Sequence, residues 1–325
     1  MNDTKNWETV LLVGNGKLAA SIYMCLTSAG HAVSFYSDNP TEEIERVNLH
    51  IGNSCQKEIV EAQCKYVEEI GKSPVKLSYK LAIIITPENV LEKTTYLQKV
   101  ETHIPSHAIV AINTESIALS TIQKSAAFPS RIIGVNWSEP AHTTYFLEII
   151  TNRSNPKNLI EEFYQLSKLW QKDPYILYND CGIRARMMCA MIREAFYLVE
   201  NGYVSIEDID RACRNDAGFY LPFAGNFRYM DLMGTYMYGI VMKDLNPELC
   251  NSNHIPKFFK DIIEQGGEGM KNNHGIYSYQ NGDTEKWDEV FRTFSYQIQE
   301  IIQKYLLGNN EEENDANVLI TSMHE

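Results

Sequence analysis

The strongest chemical signal in the sequence is a glycine-rich turn near its amino end. Gly14, Gly16 and Ala19 form the pattern G-x-G-x-x-A directly after the apolar run of residues 9–13. In such a turn the first glycine permits a sharp bend, the second lets the backbone approach a pyrophosphate, and the small third residue lets a helix pack on a sheet. The amides at the start of the helix then face the anion. The turn predicts a dinucleotide site, and the alternative is a glycine turn that joins strand to helix without a ligand.

An acidic residue bears on which dinucleotide is bound. Asp38 follows the strand-like run of residues 31–36. An acidic side chain at that point accepts hydrogen bonds from the ribose hydroxyls of NAD, whereas the 2′-phosphate of NADP favours a nearby arginine. Asp38 therefore predicts NAD, with NADP not excluded, because Ser37 precedes it and neighbours on a strand point to opposite faces. An Asx turn before Asn39 and Pro40 is the alternative role.

The elements that must position these residues alternate in type along the first half of the chain. Strand-like runs cover residues 9–13, 31–36, 81–86, 108–112, 131–135, 146–151 and 175–178, and helical spacing covers 17–28 and 156–171. Alternating strands and helices predict an α/β fold with a parallel sheet. From Arg184 onward helical periodicity prevails, with a capping box at Ser205 and Asp208. We expect a Rossmann-type NAD-binding domain over 1–180, an all-helical substrate and dimerisation domain over 181–307, and a disordered acidic tail over 308–325.

Composition limits the partners and the compartment. The chain has 325 residues and a formal net charge of −13, so it offers no general attraction to nucleic acid or to an anionic membrane. It contains 7 cysteines without a CxxC pair, which is typical of a reduced, cytoplasmic protein. Its apolar runs are too short to span a bilayer. We expect a cytoplasmic protein whose partner is a small-molecule substrate, with no nucleic acid, membrane or metal involved.

Many short segments, taken together, resemble the 3-hydroxyacyl-CoA dehydrogenase family from about Val10 to Tyr279. In the first half these are Pro87-Glu88-Asn89 with Lys93, Ala111-Ile112-Asn113-Thr114, and Gly134–Pro140 followed by Phe146-Leu147-Glu148. In the second half they are Val204–Asp210, Ala217-Gly218-Phe219, Pro222-Phe223, Met230–Gly234 and Gly269–Tyr279. The resemblance implies a Rossmann-type domain followed by a helical domain that pairs with a second copy, so that a homodimer is expected. It also implies cofactor contacts by Glu88, Lys93 and Asn113.

The same resemblance places an unusual residue at the catalytic position. In the family a histidine removes the hydroxyl proton of the substrate and a glutamate orients that histidine. Asn136 occupies the histidine position here and Glu148 the glutamate position, while Glu115 and Glu139 occupy positions near the substrate. An asparagine amide does not take up a proton near neutral pH. The family mechanism is therefore expected to be impaired, and Glu148 without its imidazole is open to a surface or structural role.

Other residues are candidates for the missing proton acceptor. His142 lies midway between Asn136 and Glu148 in the connecting segment, and the alternative is an exposed loop histidine. Lys93 and Tyr145 are further candidates, although a lysine needs a strongly lowered pKa to act as a base.

Three functions fit these residues. The first is an NAD-dependent oxidoreductase with altered catalytic residues that acts on a hydroxy or oxo substrate, with acyl-CoA and fatty acid metabolism as one option. The second is a non-catalytic protein that binds a dinucleotide or acyl-CoA, and the third is an interaction scaffold that uses the acidic tail. The aromatic and methionine residues between Phe219 and Tyr238 are expected to form a core, an acyl pocket or a dimer seam.

Overall fold

The computed structural model describes residues 9–51, 63–70 and 79–307. The predicted acidic tail, 308–325, lies outside the described residues. Contacts divide the chain into two compact units, Met1–Arg186 and Met187–Glu325. The domain limits inferred from the sequence stay predictions.

One eight-stranded sheet organises the described part of the first unit. Its strands are β1 (Val10–Gly14), β2 (Val33–Ser37), β3 (Cys64–Tyr66), β4 (Leu81–Ile85), β5 (Ile109–Ile112), β6 (Ile132–Trp137), β7 (Phe146–Ile150) and β8 (Asp173–Leu177). Their order is β3-β2-β1-β4-β5-β6-β7-β8, and neighbours are parallel except for β6 and β7. The first six positions follow the Rossmann order, with the switch point beside β1. This arrangement confirms the predicted fold class.

The sheet reverses direction between β6 and β7, which the prediction of a parallel sheet missed. Their connection, residues 138–145, is shorter than the dozen or so residues that a parallel crossover needs. The chain therefore returns antiparallel. This return pairs Asn136 directly with Glu148 on the neighbouring strand.

Helices cover both faces of the sheet. They are α1 (Gly16–Ser28), α2 (Pro40–Ile51), α3 (Val90–Glu101), α4 (Leu119–Gln123) and α5 (Lys157–Lys168). Residues of α1 and α5 pack into one apolar cluster, and residues of α3 and α4 pack into a second. The central strands β1, β4 and β5 are consequently buried along their whole length, which explains their continuous apolar sequences.

The chain from Arg184 onward is helical. Its helices are α6 (Arg184–Glu200), α7 (Ile206–Asn215), α8 (Ala217–Met233, broken at Gly225), α9 (Thr235–Leu245), α10 (Lys257–Glu264) and α11 (Asp283–Ile302). Ser205 caps α7 by accepting a hydrogen bond from Asp208 N at 3.1 Å, as the capping box predicts. Within the described part of the second unit, Ser295 is the one buried residue. None of the described helices has both the length and the apolar character that crossing a membrane requires.

Candidate active site

The glycine turn lies where β1 ends and α1 begins. A side chain at Gly14 is impossible without movement, since a Cβ there would sit 2.6 Å from the carbonyl oxygen of Ile85 on β4. Gly16 has a φ of +88°, which favours glycine, and a Cβ built on it meets no atom within 4 Å. Ala19 is fully buried in the cluster between α1 and the sheet. The turn thus combines close strand packing with open space in front of the helix, which fits a pyrophosphate.

Asp38 is held against this turn. Its Oδ2 accepts hydrogen bonds from Asn15 Nδ2 at 2.8 Å and from the hydroxyl of Tyr96 on α3, and its own amide donates to Asn15 Oδ1 at 2.9 Å. The local turn is made by the buried Ser37, whose hydroxyl accepts from Asn39 N at 3.0 Å. The Asx-turn alternative therefore does not describe Asp38. Its exposed carboxylate lies at the end of β2, where a ribose would be recognised.

A buried acid that sequence reasoning missed completes the turn. Glu43 on α2 is fully buried, and its Oε1 accepts a hydrogen bond from Gly16 N at 2.8 Å. Burial raises the pKa of the Glu43 carboxyl, while Gly16 N and the Arg46 side chain oppose that rise. Glu43 thus uses the first amide of α1, and the Leu18 amide remains in the first helical turn to face an anion. No local pattern around Glu43 signals this contact, because it joins two helices.

Lys93 and Glu88 hold in place the loop that follows β5, at the carboxyl end of that strand. The Lys93 side chain is fully buried, and its Nζ donates to the backbone oxygen of Asn113 at 2.7 Å and pairs with Glu88 Oε2 at 3.1 Å. Burial lowers the pKa of Lys93, and the Glu88 charge opposes that change. The other oxygen of Glu88 accepts from the amides of Ser116 and Ile117 at 2.7 and 2.8 Å. The three residues predicted to contact the cofactor therefore lie together.

Asn136, near the end of β6, and Glu148, in the middle of β7, form a buried pair. Asn136 Nδ2 donates to Glu148 Oε2 at 2.9 Å, and Asn136 Oδ1 accepts from Thr114 N at 3.2 Å. The other Glu148 oxygen accepts from Tyr175 Oη at 2.8 Å and from the amides of Ile183 and Arg184 at 2.8 and 2.9 Å. Glu148 is fully buried and Asn136 is 1% exposed. The carboxylate thus caps the first turn of α6 and does not lie on the surface, and the catalytic roles of Asn136 and Glu148 stay predictions.

A half-exposed ion pair lies beside this buried pair. Arg184 Nη1 donates to Glu115 Oε1 at 2.8 Å and to the backbone oxygen of Trp137 at 3.1 Å, and its guanidinium lies over the Phe146 ring. Burial raises the pKa of the Glu115 carboxyl, Arg184 opposes the rise, and the charges of Glu148 and Glu88 add to it. The role of Arg184 could not be anticipated, since it lies 69 residues from Glu115 in sequence.

The two remaining candidates lie in the loop between β6 and β7. Glu139 is exposed and His142 is half-buried. The loop is anchored by the buried Lys172, whose Nζ donates to the backbone oxygens of Ala141 and Thr144. The substrate and catalytic roles of Glu139 and His142 stay predictions. Over the described ranges, no group of three His, Cys, Asp or Glu side chains could hold a metal ion.

Two family models match consecutive stretches of the chain. The model described as the 3-hydroxyacyl-CoA dehydrogenase NAD binding domain matches residues 9–181, and the model of the C-terminal domain of the same enzymes matches residues 183–279. Together they extend over both the sheet unit and most of the helical unit.

Individual relatives are distant. The 5-formyl-3-hydroxy-2-methylpyridine 4-carboxylate 5-dehydrogenase of Mesorhizobium japonicum is 25% identical over 201 residues, which cover 61% of this chain and 65% of that protein. The 3-hydroxyadipyl-CoA dehydrogenase of Escherichia coli is 22% identical, over 84% of this chain and 59% of that protein. The chain thus spans less than two thirds of the length of either relative. A crystal structure of the pyridine dehydrogenase, described as an NAD+ dependent dismutase, superposes with a TM-score of 0.81 at 21% identity, covering 91% of this chain and 99% of that one.

Proposed function

Because this chain belongs to the 3-hydroxyacyl-CoA dehydrogenase family, we propose that it is an NAD-dependent oxidoreductase that transfers a hydride between NAD and a hydroxy or oxo substrate. The proposal is supported by three features that lie together at the carboxyl ends of the parallel strands. They are the open glycine turn, the Asp38 carboxylate and the Lys93–Glu88–Asn113 cluster. The open space at Gly16 leaves room for the pyrophosphate, and Asp38 provides an acceptor for ribose hydroxyls. NAD, when bound, supplies the hydride acceptor.

The substrate need not be an acyl-CoA. The Mesorhizobium relative is named for a pyridine that carries formyl and carboxylate groups, whereas the E. coli relative is named for an acyl-CoA. Both names contain an oxo or hydroxy group, and this common chemistry is what we assign here. An acyl-CoA substrate, with a place in fatty acid metabolism, is one option within this proposal. We also propose a cytoplasmic location. The described cysteines are free, which supports a reducing compartment.

A non-catalytic protein that binds a dinucleotide or acyl-CoA is the second candidate. The observation that favours it is that an asparagine stands at this position in place of an imidazole. Both polar atoms of Asn136 are already hydrogen-bonded, to Glu148 and to Thr114. Calorimetric titration with NAD, NADP and acetoacetyl-CoA, followed by an absorbance assay of NADH turnover, separates the two. Binding with turnover of acetoacetyl-CoA or of the pyridine aldehyde supports the oxidoreductase, binding without turnover of either supports the second candidate, and absence of binding of NAD, NADP and acetoacetyl-CoA contradicts both.

Replacing Asp38 with alanine is expected to weaken NAD binding by about 10- to 100-fold. Hydrogen bonds to a charged group contribute about 1.5–3 kcal/mol, and the ribose hydroxyls lose their acceptor. The preference for NAD over NADP narrows as well, because the carboxylate no longer repels the 2′-phosphate. Titration calorimetry with both cofactors measures the change. Asp173→Ala, an exposed position on β8 at the opposite edge of the sheet, is the control and should bind NAD normally. Equal NAD affinities for the two variants would exclude this role for Asp38.

We further propose that the helical unit pairs with a second copy of the chain. Large apolar side chains of its helices are exposed, among them Phe219 at 79%, Phe227 at 83% and Tyr236 at 79%. Helices bury their apolar faces against another surface, and exposed patches of this kind mark interfaces. Light scattering of the purified protein should give about twice the chain mass. Phe227→Asp should shift this value toward the monomer, and a native protein that is already monomeric would refute the dimer.

A further inference from the structure

The proposed reaction needs a proton acceptor, and Asn136 does not supply one. An alcohol oxidised by hydride loss must also give up its hydroxyl proton. Asn136 has an amide in place of a titratable group, and its two polar atoms already bond Glu148 and Thr114. The proposed reaction therefore requires a proton acceptor other than Asn136.

Two charged groups near Asn136, Glu148 and Lys93, are unsuitable as proton acceptors because each is buried and already hydrogen-bonded. The Glu148 carboxylate is fully buried and accepts four hydrogen bonds, from Asn136, Tyr175 and two amides of the α6 start. The Lys93 ammonium is fully buried and contacts Glu88, Asn113 and Thr86. A substrate hydroxyl could reach neither group without breaking these contacts.

Glu115 differs from both in exposure and in bonding. About one third of its side chain is exposed, at 35%. Its Oε1 receives the hydrogen bond from Arg184, while its Oε2 has no hydrogen-bond partner in the part of the chain that the structure describes. Glu115 thus combines a carboxylate oxygen that is available to a ligand with a second oxygen that is held in place.

The backbone of Glu115 is tied to both neighbouring clusters. Its amide donates to Glu88 Oε1 at 3.0 Å, and the preceding amide, of Thr114, donates to Asn136 Oδ1 at 3.2 Å. The side chain is anchored by Arg184, whose own amide bonds Glu148. The carboxylate is therefore fixed between the Asn136–Glu148 pair and the Lys93–Glu88–Asn113 cluster, which we propose contacts the cofactor.

We propose that Glu115 is the catalytic base of this protein, in place of the missing imidazole, and that Arg184 is the residue that positions it. The inference rests on the proposed oxidoreductase function. In the oxidation direction the substrate O–H bond breaks and its proton passes to Glu115 Oε2. The hydrogen on the same carbon would leave with its electron pair to NAD when that cofactor is bound, and the C=O bond would form. In the reduction direction Glu115 returns the proton to the carbonyl oxygen.

The charges around Glu115 predict how the rate responds to pH. The groups that face it are Arg184 of α6, Glu148 of β7, Glu88 before α3 and Lys93 on α3. Burial and the two glutamates raise the pKa of Glu115 above the ordinary carboxyl value, and the two cations oppose this. A base must be deprotonated, so oxidation is lost as the pH falls through this raised pKa. Removing Arg184 raises the pKa further and moves the loss to higher pH.

The test compares variants of the full chain with NAD and two hydroxy probes, 3-hydroxybutyryl-CoA and the alcohol that corresponds to the pyridine aldehyde. Glu115→Gln should lower kcat by about 10²- to 10⁴-fold, abolish the acidic limb of the kcat/KM profile and leave NAD affinity unchanged. Arg184→Gln should move that limb to higher pH. Glu115→Ala should regain part of its rate when formate is added as an external base. Glu161→Gln, an exposed position on α5, is the control and should behave as the wild type.

The outcomes separate failure of the Glu115 assignment from failure of the proposed oxidoreductase function. A Glu115→Gln protein with wild-type kcat and an unchanged acidic limb overturns the assignment of Glu115 alone. The assignment is also overturned if Glu115→Ala loses activity, keeps its circular dichroism and NAD affinity, and recovers no activity in formate. That result would indicate a merely structural role for Glu115. A wild type that binds NAD and turns over neither probe overturns the oxidoreductase function and the role of Glu115 with it.

Discussion

Glu148→Leu should lower the free energy of unfolding by about 3–5 kcal/mol, the range typical of breaking a buried charged network. Leucine is similar in size but has no acceptor for the hydrogen bonds that Asn136, Tyr175 and the amides of Ile183 and Arg184 donate to the carboxylate. A buried donor left without a partner costs about 1–3 kcal/mol, and water cannot readily replace a side chain that is fully buried. The start of α6 also loses its capping carboxylate.

Urea unfolding followed by circular dichroism measures this change. Glu148→Gln should be destabilised less, since its amide oxygen still accepts from part of the network while its NH2 group faces the donor Asn136 Nδ2. Glu161→Leu, exposed on α5, should change stability by less than about 0.5 kcal/mol. If Glu148→Leu and Glu161→Leu unfold at the same urea concentration, the carboxylate does not hold this end of the sheet together.

Gly14→Ala is expected to destabilise the fold by about 1–3 kcal/mol and to weaken NAD binding by about tenfold or more. The added Cβ would lie 2.6 Å from the Ile85 carbonyl oxygen and 2.8 Å from the Ile85 Cβ. Gly14 and Ile85 are register partners on β1 and β4, so the clash falls on paired backbone that cannot swing away like a flexible side chain. Relief requires the end of β1 to move, and that movement carries the first turn of α1 and its amides away from the pyrophosphate.

The matched control is Gly239→Ala. Gly239 lies inside α9, and a Cβ added there meets no atom within 4 Å. The same chemical change should therefore stabilise that helix by about 0.5–1 kcal/mol and leave NAD affinity unaltered. Urea titrations and calorimetry on both variants separate the effect of the clash from the effect of a methyl group as such. Unchanged NAD affinity in Gly14→Ala would mean that this turn does not carry the cofactor.

The sequence by itself determined the α/β class with a largely parallel sheet, the glycine turn and the change to helices near Arg184. These features follow from local physical chemistry: buried parallel strands read as apolar runs, a sharp turn needs Gly14 and Gly16, and a capping box such as that of Ser205 marks a helix start. Family resemblance added the positions of Asn136 and Glu148, which the antiparallel β6–β7 register brings into contact.

Only the tertiary structure decided which further side chains surround these positions. Glu43 reaches Gly16 across 27 residues, Tyr96 reaches Asp38 across 58, and Arg184 reaches Glu115 across 69. Hydrophobic periodicity and turn chemistry extend over a few residues and do not encode partners at such separations. Glu148 and Glu115 are the same residue type in sequence. Their burial decides whether the carboxylate oxygens are all used in internal hydrogen bonds or remain available to a ligand. One is enclosed by four donors, and the other keeps an oxygen accessible, because of where the chain has folded around each of them.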